Sequence, residues 1–388
     1  MSIPYGRQEI SEADIAAVVA VLRSDFLTQG PVVSQFERSV ANYCGVQHAV
    51  AVNSATSALH IACLALGVGP GDCVWTSAIT FVASANCALY CGASIDFVDI
   101  DPRTYNMSVE RLAEKLKLAE TAGTLPKVVI PVHLCGQPCD MEAIHALGAH
   151  YGFKIIEDAS HAIGGKYKDE PVGNCRYSDI SVFSFHPVKI ITSGEGGMAV
   201  TNDASLARSM QLLRSHGISN APEDMISHPA QEIWNYQQIG LGFNYRMTDI
   251  QAALGLSQMQ RLDEFVSKRH ALAARYNERL ADLPLATPWQ HPDSYSAYHL
   301  YVIRVDQKAG SNKAIYQALH QAGVLANLHY IPVYRHPYYE SLGFKQGYCG
   351  DAEKYYISAI TLPLFPGLGY EMQEKVIEAL GDLISANE

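Results

Sequence analysis

The sequence predicts an α/β fold, in which a mostly parallel, seven-stranded sheet is covered by helices on both faces and a smaller C-terminal α+β domain follows. Between about residues 35 and 200, short runs rich in β-branched and aromatic residues alternate with helical patterns. Most of these runs are apolar at successive positions, as is typical of strands buried on both faces. From residue 248 onward the pattern changes to one long helical stretch and then to mixed strands and helices.

Seven runs are predicted as the strands of the large sheet: residues 49–52, 73–75, 94–100, 127–132, 153–158, 179–185 and 198–201. Helical patterns between them include residues 54–67 and 140–152. Ligands of such sheets bind at the carboxyl ends of the strands, so candidate functional residues are expected there.

The change in pattern near residue 248 divides the chain into two predicted domains. Residues 1–247 form the large domain, whose N-terminal segment is free to pack on the small one. Residues 248–388 supply one long connecting helix over 248–283 and the small domain, which ends in a helix over 372–384.

The composition excludes several classes of protein. Of the 388 residues, 48% are hydrophobic and 17% charged, which indicates a compact globular protein. The 28 basic and 39 acidic residues give a net charge of −11, which disfavours nucleic acid and anionic lipid as partners. The nine cysteines form no paired framework and no zinc motif, so we expect reduced thiols and no metal. The N-terminus lacks the apolar segment of a signal peptide, and no apolar run reaches the roughly 18 residues of a membrane span, so we expect a cytoplasmic protein.

Lys189 is the most informative single residue. It follows the run 179–185 after a short loop, has the apolar neighbours Val188 and Ile190, and precedes a Gly-rich turn, 193–197. A partly desolvated lysine loses its charge more readily, which makes it a candidate nucleophilic amine. On local sequence alone, a strand-end lysine whose amine merely reaches water explains the pattern as well.

Asp158 ends the apolar run 153–158 and precedes Lys189 by 31 residues. A carboxylate at the carboxyl end of a strand, next to a buried base, can keep a pyridinium nitrogen protonated, as a pyridoxal ring requires. The alternative is that Asp158 caps the segment that follows. His161, three residues further on, is expected near the oxygen of such a ring or packed in the core.

Small hydroxylic residues between the run 49–52 and the helical stretch 54–67 indicate a phosphate site. The backbone N–H groups of Ala55, Thr56 and Ser57, with the Thr56 hydroxyl, can receive a phosphate at a helix N-terminus. The same pattern also fits a simple helix cap. Ser184, at the end of the run 179–185, is a further candidate donor.

Three other residues complete the candidate cofactor site. Phe81 follows a strand and can lie flat on a planar ring, or belong to the core. Asn244 and Arg246 stand directly before the long helical stretch. An arginine among apolar neighbours can bind a carboxylate or phosphate, or form a capping ion pair.

These residues lie in ordered motifs that resemble a known family over nearly the whole chain. The motifs are FLTQGPVVSQFE, NSATSALHIACLALGVGPGD, TFVASAN, IDFVDID, VIPVHLCGQPCDM, IIEDASHAIGGKYKDEPVG, FSFHPVKIITSGEGG, LRSHGI and GFNYRMTDIQAALGLSQM. The chain resembles the DegT/DnrJ/EryC1/StrS sugar aminotransferases, which are fold type I, pyridoxal-phosphate-dependent enzymes.

The resemblance implies a role for each candidate residue. Lys189 would carry the cofactor covalently, Asp158 would pair with its ring nitrogen, and Phe81 would stack on the ring. Ala55, Thr56 and Ser184 would bind the phosphate, and His161 would lie near the ring oxygen. Asn244, with Arg246, would reach the phosphate from the partner subunit, which implies a homodimer with shared active sites.

Two departures from the family pattern bear on function. The phosphate turn is SATSA where many relatives have SGTAA, so Ala55 carries a Cβ where those relatives have glycine. Relatives that dehydrate sugars replace the lysine by histidine, whereas this chain keeps Lys189, which favours amino transfer.

The motifs HPVKIIT, SHGI, AYHLYVIRV and VLANLHYIPVYRHPYY are most similar to the family members of pseudaminic acid biosynthesis. The resemblance implies transfer of an amino group from L-glutamate to C4 of a UDP-linked 4-keto-6-deoxy-N-acetylhexosamine, giving UDP-4-amino-4,6-dideoxy-N-acetyl-β-L-altrosamine. Gln29, His329 and Tyr330 are candidate substrate residues. Alternatives are a GDP-perosamine or UDP-4-amino-arabinose type of substrate, a sugar dehydratase, and a non-catalytic ligand-sensing regulator.

Overall fold

The computed structural model describes residues 2–225, 234–306 and 311–385. The strands in this part of the chain are β1 (Ile3–Pro4), β2 (His48–Val52), β3 (Cys73–Ser77), β4 (Ser94–Val98), β5 (Val128–Ile130), β6 (Lys154–Asp158), β7 (Lys166–Tyr167), β8 (Glu170–Pro171), β9 (Ile180–Ser184), β10 (Gly197–Thr201), β11 (Ile218–Ser219), β12 (Gln237–Gln238), β13 (Leu285–Ala286), β14 (Ser294–Tyr295), β15 (Tyr301–Val305), β16 (Val324–Leu325) and β17 (Ala359–Leu362).

The α-helices in the same ranges are α1 (Glu12–Leu22), α2 (Pro31–Cys44), α3 (Ala55–Ala65), α4 (Ala83–Tyr90), α5 (Val109–Ala122), α6 (Met141–Tyr151), α7 (Ala204–Arg214), α8 (Asp249–Met259), α9 (Leu262–Arg279), α10 (Asn312–Gln321), α11 (Pro337–Ser341), α12 (Gly350–Tyr356) and α13 (Tyr370–Ser385). None of these described helices is long and apolar enough to cross a membrane.

Seven strands form the central sheet in the order β2, β10, β9, β6, β5, β3, β4. Strands β4, β3, β5, β6 and β9 pair in parallel, whereas β10 runs antiparallel to both of its neighbours, β9 and β2. The predicted α/β fold with a mostly parallel, seven-stranded sheet is therefore confirmed.

Both faces of the central sheet are buried, as its apolar strands predict. In β9 every residue is buried. Val182 packs with α3 residues in one hydrophobic cluster, and the next residue, Phe183, packs with α2 residues in another. Because successive side chains of a strand point to opposite faces, two layers of helices are needed to cover the sheet.

The single connecting helix predicted over 248–283 is wrong, because the structure breaks it into α8 and α9. The N–H groups of Gln260 and Arg261 bond to carbonyls three residues back, which tightens the chain into a turn. Gln258 Nε2 donates to the Glu9 carbonyl at 3.0 Å and to Asp14 Oδ2 at 2.7 Å. Contacts with the N-terminal segment thus stabilise the turn between α8 and α9. The turn itself, at Gln260 and Arg261, contains no glycine or proline, so the local sequence does not predict it.

The C-terminal part of the chain surrounds a second, smaller sheet of β13, β15 and β17, which is antiparallel. Its core joins apolar residues of α9, α10 and α13. The N-terminal strand β1 pairs in parallel with β16, and Ile3 is buried in this same core. The first residues of the chain therefore lie against its C-terminal part.

Candidate active site

Asp158 is the last residue of β6 and is buried. Its Oδ2 accepts a hydrogen bond of 2.6 Å from Ser84 Oγ at the start of α4, and its Oδ1 accepts one of 3.1 Å from the Ser160 N–H. Ser84 Oγ is in turn 2.8 Å from Thr80 Oγ1. These donors fix the orientation of the carboxylate at the carboxyl end of the sheet.

Lys189 lies in the loop that connects β9 to β10. The loop is folded back on the end of β9, since the Thr192 hydroxyl and the Ser193 N–H both donate to the Phe185 carbonyl. Burial of the amine lowers the pKa of Lys189 to about 8, although the nearby Asp158 carboxylate partly opposes this shift. The structure therefore brings Lys189 and Asp158 together and gives Lys189 the lowered pKa expected of a nucleophilic amine.

The N-terminus of α3 lies beside this pair. Ser54 caps the helix by accepting the Ser57 N–H, so the expectation that Ser57 offers its N–H to a ligand is wrong. The N–H groups of Ala55 and Thr56, in the first turn of the helix, have no intrahelical acceptor and are available to an anion.

Strand β10 closes on the same helix end. Gly197 pairs with Ser184, and a Cβ added at Gly197 would lie 2.5 Å from the Ala55 nitrogen. Only a residue without a side chain allows this close approach. Ser184, Gly197 and Ala55 thus form one small cradle at the ends of β9, β10 and α3.

Two histidines and a tyrosine lie close together near Lys189. His161 Nε2 lies 3.2 Å from the Tyr330 hydroxyl, and the buried His161 Nδ1 has no partner among the described residues. Burial lowers the pKa of His161 well below its ordinary value, with Lys189 adding to the shift, so the ring is neutral. Burial likewise lowers the pKa of His329 to about 3, and its Nδ1 is 2.9 Å from Thr361 Oγ1. His161, which is predicted for the cofactor, and Tyr330, which is predicted for the substrate, are therefore in contact.

Phe81 is 57% exposed, and its ring centroid is 6.1 Å from that of Tyr330. An exposed aromatic ring next to buried polar groups is available to stack on a planar ligand. The alternative of an ordinary core residue does not hold for Phe81.

Three predicted residues have no side-chain contact with this group in the described structure. Arg246 pairs through its backbone with Val52, and Asn244 pairs with Ser215 and is exposed. Gln29 is exposed with a positive φ of 57°. Asn244 and Arg246 lie in extended backbone, whereas Gln29 lies in a bend just before α2.

The family model of the DegT/DnrJ/EryC1/StrS aminotransferases matches residues 8–381. The chain belongs to this family. The predicted enzyme class, a pyridoxal-phosphate-dependent sugar aminotransferase of fold type I, is thereby confirmed, and its cofactor is pyridoxal 5′-phosphate.

Several relatives of the family are similar over their full lengths. The spore coat polysaccharide biosynthesis protein SpsC of Bacillus subtilis is 40% identical over 387 residues, covering 98% of this chain and 97% of that protein. The structure of Helicobacter pylori PseC, an aminotransferase involved in the biosynthesis of pseudaminic acid, superposes with a TM-score of 0.90 at 31% identity, covering 100% of both chains. A putative sugar aminotransferase of Streptococcus pneumoniae in its PLP form gives a TM-score of 0.88 at 29% identity, again covering 100% of both chains.

The residues of this site fit the family's cofactor on two observations. The close approach of Gly197 holds the N-terminus of α3, with the free N–H groups of Ala55 and Thr56, against the end of β9. A desolvated lysine amine stands beside an oriented carboxylate. No three His, Cys, Asp or Glu side chains within the described ranges come together to hold a metal ion.

Sequence reasoning missed Ser84 and His299. Ser84 stands three residues after Phe81 in TFVASAN, within a motif that already contains a candidate site residue. This proximity in the sequence could have indicated Ser84 as a further candidate. His299 is buried, and its ring centroid is 4.4 Å from that of His161. No local pattern around His299 indicates this contact, which depends on packing between distant parts of the chain.

Proposed function

We propose that this aminotransferase moves an amino group from L-glutamate to C4 of a UDP-linked 4-keto-6-deoxy-N-acetylhexosamine. The product would be UDP-4-amino-4,6-dideoxy-N-acetyl-β-L-altrosamine, an intermediate of pseudaminic acid biosynthesis. The observation that carries the catalytic part is the pair of Lys189 and Asp158 at the ends of β9 and β6, beside the open N-terminus of α3. The similarity to PseC over the whole chain supports the choice of sugar.

Pyridoxal phosphate supplies an electron sink that stabilises negative charge at the carbon from which a proton is removed. The Lys189 amine, with a pKa of about 8, can release and accept a proton near neutral pH. We assign to Lys189 Nζ the proton transfers at the α-carbon of glutamate and at C4 of the sugar. One amine then serves both halves of the reaction.

Asp158 would face the ring nitrogen of the cofactor. Its carboxylate is held by Ser84 and Ser160, so little reorientation is needed when the ring binds. A fixed negative charge at this position favours the protonated nitrogen, on which the electron sink depends. His161 would lie near the ring oxygen and Phe81 against the ring face.

The phosphate would bind at the N-terminus of α3. The free N–H groups of Ala55 and Thr56 and the positive end of the helix attract an anion there. The Thr56 and Ser184 hydroxyls would add donors. Asn244 and Arg246 would reach the same phosphate from a second subunit.

A homodimer is part of this proposal. Large apolar side chains that are exposed in the single chain support it, namely Phe26, Tyr90, Trp234, Tyr236 and Leu241. The division into a cofactor-binding part, 1–247, and a part that closes the substrate cleft, 248–388, belongs to the proposal, as does a cytoplasmic location.

Gln29, His329 and Tyr330 are the proposed substrate residues. His329 and Tyr330 link the small sheet to the segment that follows β6, because His329 contacts Thr361 of β17 while Tyr330 contacts His161. A sugar held there would have its ketone near the lysine amine.

Absorbance of the bound cofactor tests the two half-reactions separately. Adding glutamate should bleach the band of the pyridoxal form and release one 2-oxoglutarate per site. Adding the UDP-linked 4-keto sugar should then restore the band and yield the 4-amino sugar. Lys189→Arg should show neither change, and release of ammonia in place of 2-oxoglutarate would overturn the assignment as an aminotransferase.

SpsC, at 40% identity, favours a second candidate, in which the amino sugar is another one that enters a surface polysaccharide. The catalytic residues would be unchanged. If the pyridoxamine form is reoxidised faster by a different keto sugar nucleotide than by the UDP-linked 4-keto-6-deoxy-N-acetylhexosamine, this second substrate replaces the first.

A further inference from the structure

Behind the catalytic carboxylate lies a buried polar pair that the proposed reaction does not use. Glu157 directly precedes Asp158 in β6 and is 5% exposed, and His133, after the end of β5, is 0% exposed. Glu157 Oε2 lies 2.7 Å from His133 Nε2, and Glu157 Oε1 accepts a hydrogen bond from the Ser178 hydroxyl. Burying a carboxylate and an imidazole costs folding free energy unless hydrogen bonds compensate for the lost hydration.

The tautomer of His133 follows from its second contact. The Cys139 N–H donates to His133 Nδ1 at 3.1 Å, and a backbone N–H can only donate. Nδ1 is therefore the bare nitrogen, and Nε2 carries the hydrogen that Glu157 accepts. Every polar atom of the pair is thus satisfied, and the loop from 133 to 139 is tied to β6.

The same segment holds the backbone of Asp158. The Asp158 N–H donates to the Pro131 carbonyl at 2.9 Å, and the His133 N–H donates to the Asp158 carbonyl at 3.1 Å. The regular pairing of β5 ends at Ile130, and Pro131 has no N–H to offer. The side-chain bond between His133 and Glu157 therefore reinforces the sheet where Asp158 leaves it.

Geometry separates the pair from the ligand. Successive side chains of a strand point to opposite faces, so Glu157 lies on the face of the sheet away from Asp158. Glu157 and His133 can influence the cofactor only through Asp158.

We propose that Glu157 and His133 are positioning residues that hold the Asp158 carboxylate in place for the cofactor's ring nitrogen. The effect on Asp158 comes from the hydrogen bond between Glu157 and His133 and not from the charge of Glu157. This inference rests on the proposed role of Asp158, which the single variant Asp158→Asn tests by itself.

The test measures the dissociation constant of pyridoxal phosphate and the pH midpoint of its bound absorbance band, in a double-mutant cycle. Glu157→Leu should weaken cofactor binding roughly tenfold and shift the midpoint, as losses of outer contacts commonly do. Glu157→Gln, which keeps an acceptor for His133, should bind nearly as the unmodified protein does. In the Asp158→Asn background, Glu157→Leu should have almost no further effect, since coupled residues are not additive.

Each other outcome is decisive. Equal weakening by Glu157→Leu with and without Asp158 would overturn the inference, as would unchanged binding when Asp158 is present. If Asp158→Asn alone binds as the unmodified protein, the role of Asp158 fails and the inference fails with it. A lower melting temperature with an unchanged dissociation constant and midpoint would show a merely structural role.

Two further variants separate a loss of stability from a loss of cofactor binding. Asp14 is a buried carboxylate outside the site that accepts bonds from Ser257 and Gln258. Asp14→Asn should lower the melting temperature without changing cofactor affinity, which makes it the matched control. If Glu157→Leu does not fold, His133→Asn, which removes the imidazole donor at the other end of the bond, enters the same cycle with the same expected outcomes.

Discussion

At the scale of single residues, burial of Lys189 makes its amine more reactive but lowers the stability of the folded protein. Burial lowers its pKa from 10.5 to about 8, which corresponds to roughly 3 kcal/mol of disfavoured charge. Below pH 8 the amine is protonated in both the folded and the unfolded protein, and the folded protein bears the full cost. Above about pH 10.5 both forms are neutral and the cost disappears.

We therefore expect Lys189→Met to stabilise the cofactor-free protein below pH 8 by up to roughly 3 kcal/mol. The gain should shrink between pH 8 and 10.5, because in that range the unmodified protein becomes more stable as the pH rises. Urea unfolding of both proteins at several pH values measures this. Lower stability of Lys189→Met at pH 7 would show that the amine is not desolvated.

At the scale of elements, the approach of β10 to α3 makes the phosphate cradle. An alanine Cβ at Gly197 would come within 2.5 Å of the backbone at Ser54 and Ala55, and backbone atoms have little room to give way. Gly197→Ala should cost about 1–3 kcal/mol of unfolding free energy and sharply weaken cofactor binding. Gly381→Ala in α13, where a Cβ meets nothing within 4 Å, is the control. It should leave cofactor affinity unchanged and should not lower the unfolding free energy, since alanine favours a helix more than glycine does. Normal cofactor affinity in Gly197→Ala would show that the close approach of β10 to α3 is not needed for phosphate binding.

The elements also show how far sequence reasoning reaches. Strands such as β6 and β9 were predictable because apolar runs buried on both faces carry their own signal. The antiparallel direction of β10 was not predictable, because a buried apolar strand has the same sequence pattern whether it runs parallel or antiparallel to its neighbours. Lys189 and Asp158 could be singled out as candidates because they end or follow strand-like runs. Glu157 could not, because its partner His133 is 24 residues away in the sequence.

At the scale of the whole molecule, the proposed dimer predicts sharing of active sites between subunits. Lys189→Ala and Asn244→Ala proteins should each be nearly inactive alone. Random exchange of subunits should restore about a quarter of the native activity, because half of the dimers are hybrids and each hybrid holds one intact site.

The matched control for subunit exchange is a mixture of Lys189→Ala with Asp158→Ala. Both of those residues belong to one chain's site, so no hybrid contains an intact site. Activity in this control, or none in the first mixture, would contradict the assignment of Asn244 to the neighbouring subunit.

The covalent position of the cofactor tests the account most directly. The protein is loaded with pyridoxal phosphate, reduced with borohydride and digested, and the peptides are weighed by mass spectrometry. We expect the reduced cofactor on the peptide containing Lys189, and we expect Asp158→Asn to lower the yield of this modified peptide after limited loading. A modified lysine elsewhere, or a Lys189 peptide of unchanged mass, would contradict the account.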